Sequence, residues 1–125
     1  MKAVIDSDKA PTPVGPFSPG LSVGEWIFLS GQGGFDPRTG KIVSDDLVEQ
    51  TEQTFTNIET LLEAAGASLD DVISCLVHLV DLADFAAFNA IYEQKFTGVK
   101  RARTTVRADL VAGMRVEITV IARSV

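Results

Sequence analysis

Two residues in the last quarter of the chain are of an unexpected type for their surroundings. Arg103 sits in Ala102-Arg103-Thr104-Thr105-Val106, and Glu117 in Val116-Glu117-Ile118-Thr119-Val120-Ile121-Ala122. Both segments have the alternation and β-branched content of half-buried strands. In strand phase Arg103, Thr105 and Arg107 share one face, and Glu117 shares a face with Thr119 and Ile121. A carboxylate in so apolar a strand needs a partner or a cavity. An ion pair with Arg103 or Arg115 is one structural explanation, and a solvated edge position is another for the arginine. The chemical reading makes Arg103 a bidentate clamp for a small carboxylate, a charge-assisted bond of roughly 1.5–3 kcal/mol. Glu117 is then a general base that deprotonates a water. The readings are compatible, because a salt-bridged pair in an empty pocket can open to a ligand. We expect the two strands to be neighbours.

Three further positions stand near this chemistry. Ser30 and Gly31 form a tight corner in Leu29-Ser30-Gly31-Gln32, where Ser30 caps a turn or Gly31 lets a backbone N–H approach a ligand. Asn89 follows Phe85 by four residues and precedes Tyr92 by three, at the edge of a helix stripe, where a satisfied amide is the structural alternative. Other chemistries are excluded. His78 is the only histidine, which removes Ser-His-Asp and Cys-His catalysis and any histidine cluster for zinc. Cys75 is the only cysteine and reads as a small buried hydrophobe. There is no G-x-S-x-G elbow around Ser30 and no phosphate loop, since Asp36 stands where a third glycine would be. The pairs Asp45-Asp46 and Asp70-Asp71 read as helix-start and turn charges, not metal ligands, so we expect no metal and no cofactor.

With 125 residues, 46% of them hydrophobic, the chain reads as a single domain over residues 1–125 with a real core. The net charge of −6 and pI near 4.6 argue against a nucleic-acid partner. Lys100, Arg101, Arg103 and Arg107 form the nearest basic cluster and have no interleaved aromatics. No leader-like or membrane-spanning stretch is evident, so no membrane partner and a cytoplasmic location are expected.

These side chains need a scaffold. All five prolines lie in the first 37 residues, and six of ten glycines lie between Gly15 and Gly34, so the front third should be short strands and loops. Ala3 to Ile5 and Trp26 to Ser30 read as strands. Leu47, Thr51, Phe55, Ile58, Leu62 and Ala65 recur at helical spacing, with Ser44 or Asp45 as the cap and Gly66 at C′. Val72 to Val80 is a strand apolar on both faces, with Ile73, Cys75, Val77 and Leu79 on one and Val72, Leu76 and Val80 on the other. Asp84 to Phe96 predicts a second helix striped by Phe85, Phe88, Tyr92 and Phe96. Strands at Arg103 to Arg107 and Arg115 to Ala122 close the chain. Two helices can cover only one face of such a sheet. The other face must be buried too, and a symmetric homo-oligomer is the simplest solution.

In these residues the chain resembles the RidA/YjgF family, also labelled enamine/imine deaminases and L-PSP endoribonucleases. Ala10-Pro11 with Gly15-Pro16-Phe17-Ser18-Pro19-Gly20, the Leu29-Ser30-Gly31-Gln32 corner, Phe88-Asn89-Ala90-Ile91-Tyr92 with Phe96, Ala102-Arg103 and Val116-Glu117-Ile118 match its signatures in order. The resemblance implies a chorismate-mutase-like α+β fold, a mixed β-sheet with two helices on one face, and a homotrimer with sheets inward and pockets at its interfaces. It implies hydrolysis of small 2-imino acids and enamines, such as 2-aminoacrylate, to keto acid and ammonia. Arg103 would bind the substrate carboxylate and Glu117 would activate water. Phe17, Ser30, Gly31 and Asn89 would line the pocket, and Thr105 would offer it backbone groups. A non-catalytic trimer that binds 2-keto acids is the alternative, and a ribonuclease or translation inhibitor is suggested by the family's label alone. The chain departs from the pattern at Phe17, where tyrosine is usual, at Thr105, often cysteine, and at Arg101, usually proline. Leu110-Val111 replaces the usual Leu-Pro, in a loop one residue shorter.

Overall fold

The computed structural model describes residues 2–125. Six strands form one mixed sheet in the order β1-β2-β3-β6-β4-β5. They are β1 (Lys2–Ile5), β2 (Gly20–Val23), β3 (Trp26–Leu29), β4 (Val72–Leu79), β5 (Ala102–Arg107) and β6 (Val116–Arg123). Helices α1 (Leu47–Ala64) and α2 (Phe85–Lys95) complete the chain, with single 3₁₀ turns before β4 and α2. β4 and β5 run parallel and every other pairing is antiparallel. A parallel pair needs a long crossover, and α2 supplies it. The expected α+β fold is therefore present, with both helices on one face of the sheet. No helix among the described residues is long and apolar enough to cross a membrane.

The core lies between the helices and that face. Phe55, Ile58, Leu61 and Leu62 of α1 meet Val77 and Leu79 of β4 and Val116, Ile118 and Val120 of β6. Phe88 and Phe96 close the α2 end, with edge-on ring contacts from Phe55 to Tyr92 and to Phe96. The opposite face has no cover. Trp26, Phe28, Leu76 and Val106 are each roughly two-fifths exposed on it.

Four details differ from expectation. The hairpin strand β2 is an additional strand in the glycine-rich front third, beyond those expected. The cap of α1 is Asp46, one residue beyond the expected pair, and its carboxylate accepts the Glu49 N–H at 2.9 Å. Ser44 instead accepts the Asp46 N–H at 3.1 Å. Gly66 does take the left-handed C′ position, with φ +77°. In β4 an irregularity between Val72 and Ser74 resets the alternation. Val72 is 3% exposed and Ile73 is 43% exposed, the reverse of their expected faces. Finally, Phe85 is largely exposed, so the buried stripe of α2 begins at Phe88.

The buried polar side chains of α1 are tied to backbone groups. Thr51 and Thr54 donate to carbonyls one turn back on α1, at 2.8 and 2.7 Å. Gln50 and Asn57 act as cross-links. Gln50 Nε2 donates to the carbonyls of Ser44 (2.9 Å) and Gly113 (3.2 Å), and its Oε1 accepts the Arg115 N–H (2.8 Å). Asn57 Nδ2 donates to the carbonyls of Gly33 (3.0 Å) and Phe35 (2.9 Å). Both side chains are fully buried, so each strand-end loop is held by donors and acceptors that water cannot replace. Replacing Gln50 by Ala removes three hydrogen bonds and is expected to cost about 2–4 kcal/mol, since each contributes roughly 0.5–1.5 kcal/mol net. Denaturant midpoints at one fixed protein concentration check this, and an unchanged midpoint refutes it.

Candidate active site

β4 lies between the strand that carries Arg103 and the strand that carries Glu117. This overturns the expectation of neighbouring strands. The register makes the separation concrete. Arg103 is opposite Cys75, which is buried on the helix side, and Glu117 is opposite His78 on the bare side. Arg103 and Glu117 thus leave the sheet on opposite faces.

Arg103 is built into the edge strand β5 and turned toward α2. Its Nη1 donates to Asn89 Oδ1 at 2.8 Å. Its Cζ stands 4.7 Å from the Tyr92 ring centroid, 5.6 Å from Phe85 and 5.9 Å from Phe88. The ring faces attract the cation without neutralising it. Among the described residues no carboxylate forms an ion pair with it. Asn89, Tyr92, Phe96, Lys100, Arg101 and Arg103 line a cleft of ≈ 370 Å³, with Glu93 at its wall. The helix period explains this: Phe88, Asn89 and Tyr92 fall on or beside one face of α2, and the rings bury while the amide meets the arginine. Thr105, two residues on, has a buried hydroxyl without a hydrogen-bond partner. Arg101 lies against the Phe96 ring at 5.1 Å and donates to the carbonyls of Thr97, Val99 and Leu69, which fixes the turn leading into β5.

Glu117 occupies the other face among different neighbours. A Cβ added to Gly31 would stand 2.7 Å from its Cδ and 2.9 Å from its Oε2, so any larger residue there would displace the carboxylate from this position. Gly31 is held there because Gln32 and Ile118 exchange both backbone bonds at 2.9 Å. Ser30 Oγ donates to the Ser18 carbonyl at 2.7 Å, and the Ser30 N–H donates to the Pro19 carbonyl at 2.9 Å. Ser30 therefore ties the Phe17–Pro19 loop to the corner, with the Phe17 ring 50% exposed. His78 Nδ1 lies 3.6 Å from Glu117 Oε1. The expected ion pair of Glu117 with Arg103 or Arg115 does not form, and sequence reasoning missed His78 altogether. Strand parity with Leu76 and Val80 could have found it.

Cys75 and Tyr92 sit between the core and the arginine. Burial pushes the Cys75 thiol up, more than the neighbouring Tyr92, Arg101 and Arg103 lower it. Burial, then the Cys75 thiol, pushes the Tyr92 hydroxyl up. Neither group is poised as a nucleophile or base near neutrality. An aromatic disulfide reagent should find no thiol in the native protein and the single Cys75 thiol after unfolding. Rapid native labelling would contradict this placement.

Comparison with known proteins places the chain in a family. The family model described as Endoribonuclease L-PSP matches residues 7–124. A RutC family protein of Saccharolobus solfataricus is 44% identical, over 98% of each chain. The 2-iminobutanoate/2-iminopropanoate deaminase of Capra hircus is 40% identical, over 98% of this chain and 90% of its own. The crystal structure of RidA from the Antarctic bacterium Psychrobacter superposes with a TM-score of 0.94 at 40% identity, covering 98% of this chain and 99% of the other. With a family model spanning nearly its whole length and such relatives, the chain belongs to the Endoribonuclease L-PSP family, the RidA/YjgF group that its motifs resemble.

Proposed function

We propose that this chain is a hydrolytic deaminase of small 2-imino acids and their enamines, with each site assembled from two copies of the chain. The observation that carries the reading is the pair of half-sites. Arg103 is an unneutralised cation at one sheet edge, and Glu117 is a carboxylate pointing from the bare face. One small molecule can meet both only where the β5 edge of one chain abuts the bare face of another. The exposed Trp26, Phe28, Leu76 and Val106 supply an apolar reason for that contact. A closed homotrimer, as the family resemblance implies, satisfies both requirements without leaving an open end. The relative from Capra hircus, named as an imine deaminase, supports the substrate class.

The chemistry follows from few groups. Arg103 clamps the substrate carboxylate, and Asn89 fixes the plane of the guanidinium. The imine carbon is already electrophilic, so positioning and one base suffice. Glu117 takes a proton from water as its oxygen bonds to that carbon, and the C=N electrons pass to nitrogen. Glu117 then returns the proton to the nitrogen, accepts the proton of the new hydroxyl and passes it to the nitrogen as well, so that the C–N bond breaks, ammonia leaves and the oxygen forms the carbonyl. An enamine enters after protonation at its outer carbon. Gly31 lets backbone approach beside the base, Thr105 offers edge-strand backbone groups, and Phe17 and Ser30 form the opposite wall. No cofactor or metal takes part.

A non-catalytic 2-keto acid-binding trimer is the second reading. It is favoured by Phe17, which brings no hydroxyl where the pattern of the resembled family usually has tyrosine. A ribonuclease draws support only from the family label and fits poorly with a net charge of −6.

A coupled assay separates these. A lyase generates imino acids, and semicarbazide traps what is not hydrolysed. Wild type should suppress semicarbazone formation. Arg103→Lys keeps the charge but loses the planar fork, so most activity should disappear with little change in thermal stability. Keto-acid binding without imine hydrolysis would instead select the second reading. A mixing experiment tests the assembly. Arg103→Ala and Glu117→Gln should each be inactive, yet chains co-assembled in equal amounts should recover about a quarter of the wild-type rate, because random neighbours pair an intact arginine with an intact glutamate at that frequency in a closed ring. No recovery would mean that the two residues do not serve one site across chains.

A further inference from the structure

We propose that His78 is a positioning residue for Glu117, donating its Nδ1–H to the carboxylate and aiming it. This rests on Glu117 being the base, and it assigns a task to the chain's only histidine.

Several observations converge on the pair. His78 and Glu117 are direct register partners on β4 and β6, on the bare face of the sheet. Nδ1 stands 3.6 Å from Oε1, against roughly 2.7–2.9 Å for a charge-assisted bond. A small side-chain rotation closes that gap. Nδ1 is buried and has no hydrogen-bond partner in the protein, so a donor there is unused. The two side chains are 24% and 25% exposed, so both remain accessible on the bare face. The register partner of His78 on the other side is Val106, which offers no competing acceptor.

The opposite side of the carboxylate is already fixed. Oε2 packs close against the Gly31 backbone, in space that a Cβ at that position would take, so the corner walls that side. With His78 on Oε1, the carboxylate is held between a backbone wall and an imidazole. That is the usual logic of an oriented base, in which a third group sets the angle of the group that takes the proton. His78 acts through this contact and takes no part in the proton transfer itself. The nitrogen nearest the carboxylate decides the tautomer, so the ring must carry its hydrogen on Nδ1.

A single histidine makes this measurable. Isotope-labelled imidazole nitrogens, observed by NMR at mildly alkaline pH, give one set of ring signals. The Nδ1–H form is expected in wild type, and Glu117→Ala should release the ring to the Nε2–H form. In the imine assay His78→Leu should lower kcat roughly tenfold, part of what an oriented base contributes, with KM nearly unchanged. His78→Asn places an amide nitrogen close to the former Nδ1 and should restore most of that loss. The proposal is overturned by an Nε2–H ring in wild type, by a tautomer indifferent to Glu117→Ala, or by a His78→Leu variant with unaltered kcat. It is also overturned if Asn performs no better than Leu, which would mark a packing role. Should wild type turn over no imine at all, the deaminase reading fails and the positioning role with it. The tautomer measurement then reports the contact alone, so the two failures stay apart.

Discussion

The thickness of one β-sheet governs the site. Two helices cover one side of six strands, and the two residues with the most chemical potential leave from opposite sides. Neither is neutralised by the other, although Arg103 has an aromatic cradle and Glu117 has a glycine corner and an imidazole. Within one chain, each half is therefore stable and incomplete. The apolar bare face has the same property at a larger scale. In the proposed assembly, pairing chains would resolve both deficits with one contact, because the surface that needs cover adjoins the carboxylate that needs an arginine.

Such a division demands stiff halves. A site shared between chains inherits every error in each chain's loops. The fully buried amides of α1 limit those errors. Gln50 holds the approach to β6, and Asn57 holds the loop that follows Gly31 and Gln32. The corner is then pinned to β6 through the paired bonds of Gln32 and Ile118. The position of Glu117 thus descends from helix packing, through two side-chain amides, to a glycine beside which the carboxylate lies in the space a side chain would take.

Local pattern made part of this legible before any coordinates. The helical stripe of α1, the alternation of β6 and the oddity of Arg103 and Glu117 depend on near neighbours in the chain, and these held. Strand order did not, because β4 takes its place between β5 and β6 through contacts distant in sequence. A parallel β4-α2-β5 unit permits that order but does not demand it. The irregularity at Val72–Ser74 was equally hidden, since one extra residue swaps faces without altering composition. Ser44, Asp45 and Asp46 are all competent caps, and only the path of the chain chooses among them. His78 was dismissed because it lacked a second histidine. Its parity on β4 carried the useful signal, but its meaning depended on which strand lay opposite.

The charge distribution completes the functional argument. A chain of net charge −6 repels a carboxylate substrate at long range. Screening confines that repulsion to about 8–10 Å at physiological ionic strength, so the local field decides capture. At the β5 edge the balance reverses. Arg103, Arg101 and Lys100 line one cleft against the single carboxylate of Glu93. Arg101 also braces the turn into β5 through three carbonyls. The residue that replaces a proline in the family pattern therefore contributes both rigidity and positive potential at the mouth. An acidic protein with a small basic mouth suits a small anion that enters, reacts and leaves, and it suits a polyanion poorly. That contrast weighs against reading the family's ribonuclease label as this chain's activity.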